Sequence, residues 1–322
     1  MSPSLEDDYT AYVASHSGPK ANPRAKVIFS SLIKHLHAFA REVELTNDEW
    51  LAACEGMIAA GKISGTERNE MILISDVLGL EALLDTMAHD RFLASQSPHQ
   101  PSKPTHSDNG HTTGKETESS TTGGLEAVTL SAILGPFYRT AAPEYENGQS
   151  MVVTHHPEDV SALVHGVVKR VDGKPIQGAK VEIWHTGTEG LYDSQLYDPK
   201  EPSKHPFFNW RGVYRTDEQG RYACRALKPT AYPIPYDSTA GEILKALDRS
   251  PMRPAHIHFL VTAPGYRSLI TQIYDGDCEY VKSDSVFGVK DGLVVKFVPV
   301  KEEGKDTDVE LEYDIVLMPD ES

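Results

Sequence analysis

Cysteine is nearly absent: three residues in 322, at Cys54, Cys224 and Cys278. They lie far apart, are odd in number and form no Cys-x-x-Cys. That argues against a disulfide framework, and the expectation is free thiols in a reducing cytoplasm. No stretch approaches the ~18 consecutive apolar residues of a membrane span, so a membrane protein is not expected. The opening residues Met1-Ser2-Pro3-Ser4-Leu5-Glu6 have neither a basic region nor an apolar run, and no secretory leader is expected from them. Basic charge is scarce, with 31 Lys and Arg against 47 Asp and Glu, a net charge of −16. A nucleic-acid partner needs a cationic surface to neutralise phosphates and is excluded on that ground. No GxGxxG and no P-loop sequence occurs, so no nucleotide cofactor is expected.

What is present is ordinary for a soluble globular chain, with 39% hydrophobic and 24% charged residues. Residues 1–21 are polar with little pattern and read as a flexible arm. From 22 to 94 the period is helical. Ile28, Leu32, Leu36 and Phe39 form one stripe, and Thr46-Asn47-Asp48-Glu49 is a capping-box start. Ser64-Gly65-Thr66-Glu67 repeats that signal before a helix over 71–85 that is apolar all round, a candidate packing or subunit surface. Residues 95–124 switch to Ser, Thr, Pro, Gly and His and read as a disordered insertion. From 125 to 322 short strands alternate with Gly/Pro turns. They fall at 164–171, 179–184, 212–216, 221–226, 253–261, 268–274, 293–300 and 309–317, with Asp217-Glu218-Gln219-Gly220 as a hairpin signature. The fold class expected is α+β: a helical N-terminal segment followed by an antiparallel β-sandwich.

The stretch with most chemistry is Arg253-Pro254-Ala255-His256-Ile257-His258-Phe259. On a strand, His256 and His258 share one face and Ile257 and Phe259 take the other. Two imidazoles so placed can reach one metal ion, and imidazole suits iron, copper, nickel or zinc. A buried, hydrogen-bonded histidine beside an edge histidine fits as well, so the remaining ligands decide. No histidine follows His258, and Phe259-Leu260-Val261-Thr262 offers no carboxylate. Tyrosine is the oxygen donor left. Tyr192 lies in Gly190-Leu191-Tyr192-Asp193 and Tyr232 in Tyr232-Pro233-Ile234-Pro235, but spacing alone does not select these two among 14 tyrosines.

The ordered phrases Leu134-Gly135-Pro136-Phe137-Tyr138, Gly190-Leu191-Tyr192-Asp193, Tyr232-Pro233-Ile234-Pro235, Arg253-Pro254-Ala255-His256-Ile257-His258-Phe259 and Thr271-Gln272-Ile273-Tyr274 resemble the intradiol ring-cleavage dioxygenases. Within them the chain is similar to the catechol and hydroxyquinol 1,2-dioxygenase branch. The resemblance runs from about residue 22 to 320, apart from 95–124. It implies Fe(III) held by Tyr192, Tyr232, His256 and His258, with O₂ and an aromatic diol as substrates and a cis,cis-muconate as product. Phenolates are hard anionic donors that suit ferric iron. It implies Tyr232 as the dissociating ligand, Arg253 as the group stabilising negative charge on the ring, and Gln272 beside the substrate. Ile133, Gly135, Pro136, Phe137, Ile234 and Pro235 would line the pocket, with Leu73 and Asp76 as a further wall. A homodimer through the N-terminal helices is implied, with phospholipid at the interface as a family feature that 71–85 would allow.

Asp76 leans the substrate expectation to hydroxyquinol, whose third hydroxyl wants a polar partner; catechol is the alternative. Two readings of other classes compete. The phrase 173–184 is also common in transthyretin-like binding modules, and the same histidines could serve a zinc hydrolase.

Overall fold

The computed structural model describes residues 7–65, 67–96, 127–300 and 307–320. The expected insertion at 95–124 lies outside these from residue 97 onward, as do residues 1–6 of the expected arm. Two compact units are present, Met1–Ala59 and Ala60–Ser322.

In the first unit, α1 (Asp7–Ser15) and α2 (Pro23–Glu42) are followed by α3 (Asn47–Ile63), within which the unit boundary falls. The segment read as a flexible arm thus contains a helix. It is tied to α2 by contacts that no periodicity announces: Tyr9 stacks on His37, and Arg41 Nη2 donates to Thr10 Oγ1 at 2.7 Å. Asn22 caps α2 by accepting from the backbone N–H of Arg24 and Ala25, with Pro23 at the first helical position. The capping box of α3 is formed as read, Thr46 N–H to Glu49 Oε2 at 2.9 Å and Glu49 N–H to Thr46 Oγ1 at 3.3 Å. The stripe Ile28, Leu32, Leu36 and Phe39 is exposed along its length, and α2 buries no residue.

In the second unit the expected helix 71–85 is two helices, α4 (Glu70–Val77) and α5 (Leu80–Gln96). The break follows from Gly79, whose φ of +73° only glycine adopts readily; its N–H closes back on the Asp76 carbonyl at 2.9 Å. The start of α4 also differs from expectation. Asn69, rather than Ser64, is the cap, accepting from Ile72 N–H at 3.1 Å.

The sheet region is a sandwich of two five-stranded sheets. One contains β1 (Ser161–Arg170), β4 (Arg221–Leu227), β10 (Val298–Pro299), β11 (Val309–Glu312) and β12 (Ile315–Leu317). The other runs β3 (Arg211–Arg215), β2 (Lys180–Trp184), β7 (His256–Thr262), β8 (Leu269–Asp275), β9 (Val294–Val295). A two-residue ribbon pairs β5 (Tyr232–Pro233) with β6 (Met252–Arg253). Short helices α6 (Asp193–Leu196) and α7 (Thr239–Ala246) sit in the connections. Inner faces meet through Val164 and Val168 of β1, Tyr222 and Cys224 of β4, Val181 and Ile183 of β2, and Ile257, Phe259 and Val261 of β7.

Two expectations are corrected. The sheets are mixed, not purely antiparallel: β1 pairs with β11 and β12 in parallel, and β8 with β9. Parallel partners need long connections, and β1 is separated from β11 by most of the unit. The turn at 217–220 forms as read, with Gly220 N–H on the Asp217 carbonyl at 2.9 Å. Its flanking strands, however, enter opposite sheets, β3 beside β2 and β4 beside β1, so it is an arch between layers rather than a hairpin.

Candidate metal centre

Strand β7 begins at the site. Its odd-numbered side chains fill the core, while His256 and His258 emerge on the opposite face, each 2% exposed. On neighbouring strands Trp184 lies in register with His258, and Gln272 and Tyr274 with His258 and His256. Trp184 stacks on His258 with centroids 4.7 Å apart and fixes its ring plane. His256 Nδ1 donates to the Pro254 carbonyl at 2.6 Å, which leaves Nε2 with its lone pair aimed into the site.

Tyr192 is delivered by the turn before α6. Its N–H donates to Gln195 Oε1 at 2.9 Å and its ring stacks on Phe137 at 4.6 Å. The buried Arg211–Asp193 pair, Nη2 to Oδ1 at 2.8 Å, anchors the same turn, and Arg211 also donates to the Phe137 carbonyl. Tyr232 comes from β5, directly opposite Arg253 in the two-residue ribbon.

These elements bring four donor atoms together. Tyr192 Oη lies 2.9 Å from His258 Nε2, 3.1 Å from Tyr232 Oη and 3.5 Å from His256 Nε2; the two imidazole Nε2 atoms are 3.1 Å apart. Donors about 3 Å apart suit one first-row ion with bonds of about 2 Å to each. Among the described residues no group of three or more His, Cys, Asp and Glu converges in this way, so the set depends on its two phenols. With its proton on Nδ1, His256 turns a lone pair toward His258 Nε2 and Tyr192 Oη, an arrangement that a shared cation would satisfy.

Burial pushes both histidines well below their ordinary pKa, with Arg253 adding to the effect at His256 and His256 and Arg253 at His258. Both therefore present neutral nitrogens. Burial raises the Tyr192 phenol well above its ordinary value, reinforced by Tyr232. Tyr232 is raised by burial and pulled back by Arg253. A cation held there would supply the opposing field that lowers both phenols.

Arg253 is 2% exposed and its Nη1 lies 3.1 Å from His256 Nε2. Gln272 accepts from Arg253 Nη2 at 2.8 Å and donates to the Ile133 carbonyl at 2.7 Å, joining the arginine to the pocket wall. That wall is a buried cluster of Leu73, Ile133 and Ile234 with Val286, while Pro235 is half-buried beside it in sequence. Gly135 has a φ of +78°, and a Cβ there would stand 3.2 Å from His258 Cε1. Pro136 is buried, and its carbonyl accepts from Asn69 N–H.

Asp76 is 1% exposed with no hydrogen-bond donor on either oxygen. Burial, then a hydrogen bond with Glu81, pushes its carboxyl up to about 9. Arg253 pulls the other way without offsetting them. Glu81 in turn accepts from Leu134 N–H at 2.7 Å.

Several groups were not found from sequence. Trp184 and Tyr274 stood in quoted phrases without a role. Val286, Glu81 and Asp284, the carboxylate on Arg253, carried no signal.

Residues 133–319 match the family model described as dioxygenase, and residues 22–94 the one described as catechol dioxygenase N terminus. A catechol 1,2-dioxygenase of Candida albicans is 40% identical over 322 residues, 99% of this chain and 94% of its own length. A hydroxyquinol 1,2-dioxygenase of a Rhizobium species is 36% identical, across 87% of this chain and 82% of its own. The solved hydroxyquinol 1,2-dioxygenase of Pseudomonas putida aligns with a TM-score of 0.70 at 34% identity, covering 97% of this chain and 99% of that one. With these matches and the sandwich fold, the chain belongs to the intradiol ring-cleavage dioxygenase family.

Proposed function

We propose that this dioxygenase cleaves hydroxyquinol, and catechol less efficiently, between the two hydroxyl-bearing carbons at a ferric centre held by Tyr192, Tyr232, His256 and His258. The convergence of two phenols and two neutral imidazoles within 3.5 Å is the observation that carries this reading. Zinc hydrolases typically use three histidines or histidines with a carboxylate. A paired phenolate set favours a harder, trivalent ion. Bound there, Fe(III) supplies Lewis acidity toward the diol and redox access to O₂.

The side chains do the rest. Tyr232, the phenol opposite Arg253 in the ribbon, takes up a proton as the diol binds, while Tyr192 stays fixed by its Phe137 stack. Arg253 stabilises the negative charge that develops on the ring and oxygens; preorganised cationic donors of this kind are worth several kcal/mol of barrier. Leu73, Ile133, Ile234 and Phe137 exclude water. Asp76, held neutral with its proton toward Glu81, offers its free carboxyl oxygen as an acceptor to a third ring hydroxyl. The catechol reading keeps standing because the 40% identical Candida albicans relative bears that name.

A homodimer is supported by the exposed apolar residues Ile28, Leu32, Leu36 and Phe39 of α2, too many for a helix facing water, and lipid would suit the same surface. Free thiols at Cys54, Cys224 and Cys278 fit a cytoplasmic location. Among the described residues no helix is long and apolar enough to cross a membrane. Oxygen uptake and muconate absorbance with each diol test the activity. Turnover of hydroxyquinol with higher kcat/KM than catechol is expected; turnover of neither would refute the reading.

A further inference from the structure

The loop Ser283–Gly288, which lends Val286 to the apolar wall, also grips the guanidinium that faces the donors. Asp284 accepts from Arg253 Nε at 3.0 Å and from Nη2 at 3.2 Å, with both side chains 3% exposed. The same carboxylate accepts from its own loop, Val286 N–H at 3.3 Å and Gly288 N–H at 3.0 Å. Arg253 Nη2 also donates to Gln272 Oε1 and, at 3.4 Å, to Tyr274 Oη. A planar fork held along its Nε–Nη2 edge cannot turn, so the direction of Nη1, 3.1 Å from His256 Nε2, is fixed from behind.

The loop is itself pinned. Arg249 donates through Nη2 to the Ser285 carbonyl at 2.6 Å and through Nη1 to the Val77 carbonyl at 2.8 Å, at the end of α4. Its guanidinium lies 4.6 Å from the centre of the Phe287 ring, and Phe287 holds a φ of +59°. A bulky residue at positive φ persists only where its surroundings enforce it.

We propose that Asp284 is the positioning residue for Arg253, holding Nη1 toward the donor centre, and that Arg249 clamps the loop that carries it. The inference rests on the dioxygenase reading. Substrate affinity depends on the donors and the apolar wall, whereas the aim of Nη1 matters where charge develops, so kcat is the sensitive quantity.

The test is Asp284→Asn in the iron-loaded enzyme. Iron per chain, the visible tyrosinate band and anaerobic catechol affinity should match wild type within about twofold, while kcat falls about tenfold to a hundredfold. In an Arg253→Gln background the same change should cost no more than about twofold further, because the group it positions is gone. Arg249→Ala leaves both charges of the pair in place and should repeat the pattern with a smaller kcat loss; it carries the test if Asp284→Asn does not fold. A wild-type kcat in the folded variants overturns the proposal, and so do losses that multiply in the double variant. A crystal structure of Asp284→Asn with Arg253 Nη1 unmoved against His256 does the same. Failure of the dioxygenase reading is separate: wild-type protein would itself lack the band and the ring cleavage, and both proposals would fall.

Discussion

The donor cluster and the α4 wall are equally dry, yet they hold their polar groups in opposite ways. Tyr192, Tyr232, His256 and His258 are each at most 4% exposed and each lies near another donor or a backbone carbonyl. They stand on strands and on a turn braced by the Arg211–Asp193 pair. Asp76, also buried, has no donor on either oxygen and sits on an eight-residue helix ended by Gly79. The first arrangement is four donor atoms drawn together, as one shared charge would require. The second is a single carboxyl that avoids charge by keeping its proton. On the proposed reading the cluster would bind an ion and Asp76 would discriminate a ring hydroxyl, and the partners of each group are what separates the two.

The largest effect that would break this contrast lies in the cluster. His256→Ala or His258→Ala should lose iron and turnover altogether, checked by metal analysis and oxygen uptake. Retention of full iron in both would remove the site assignment. Tyr232→Phe should keep part of its iron while kcat drops by about 10²-fold or more, the usual cost of losing a positioned proton acceptor. Tyr192→Phe should weaken iron retention instead.

On the wall, Leu73→Ala truncates a buried side chain packed on Ile133, Ile234 and Val286. It should cost about 2–5 kcal/mol in denaturant unfolding with iron binding intact. Asp76→Ala should lower kcat/KM for hydroxyquinol by roughly 1–3 kcal/mol and spare catechol. Equal losses on both diols would assign Asp76 to structure.

Asp76 also predicts a pH dependence of stability. Its carboxyl is raised from the ordinary 3.8 to about 9 in the folded chain. Between those values the unfolded chain has released the proton and the folded chain has not, so stability falls as pH rises from about 4 to about 9. Asp76→Asn should flatten that slope in melting curves. The smallest effect belongs to residues 98–122, whose composition offers little to anchor; their deletion should leave melting and turnover nearly unchanged.

Much of this was legible in the sequence, for physical reasons. The i, i+2 histidines and the alternating Ile257 and Phe259 have only one way to sit on a strand. The Thr46–Glu49 box is local chemistry. Pairing was less legible: the turn at 217–220 reads the same whether its strands join one sheet or two, and the parallel partners of β1 come from residues 309–317. The split at Gly79 hid in an apolar run, and α1 in a segment without period. Asp284 could not be found because its role depends on Arg253, 31 residues away, and on a loop with no regular structure.

The visible spectrum of the purified, iron-loaded protein tests the central claim most directly. A broad tyrosinate-to-Fe(III) charge-transfer band is predicted, one that weakens in Tyr232→Phe and is absent in His256→Ala. A wild-type protein carrying stoichiometric iron yet colourless would contradict ligation by the two phenols.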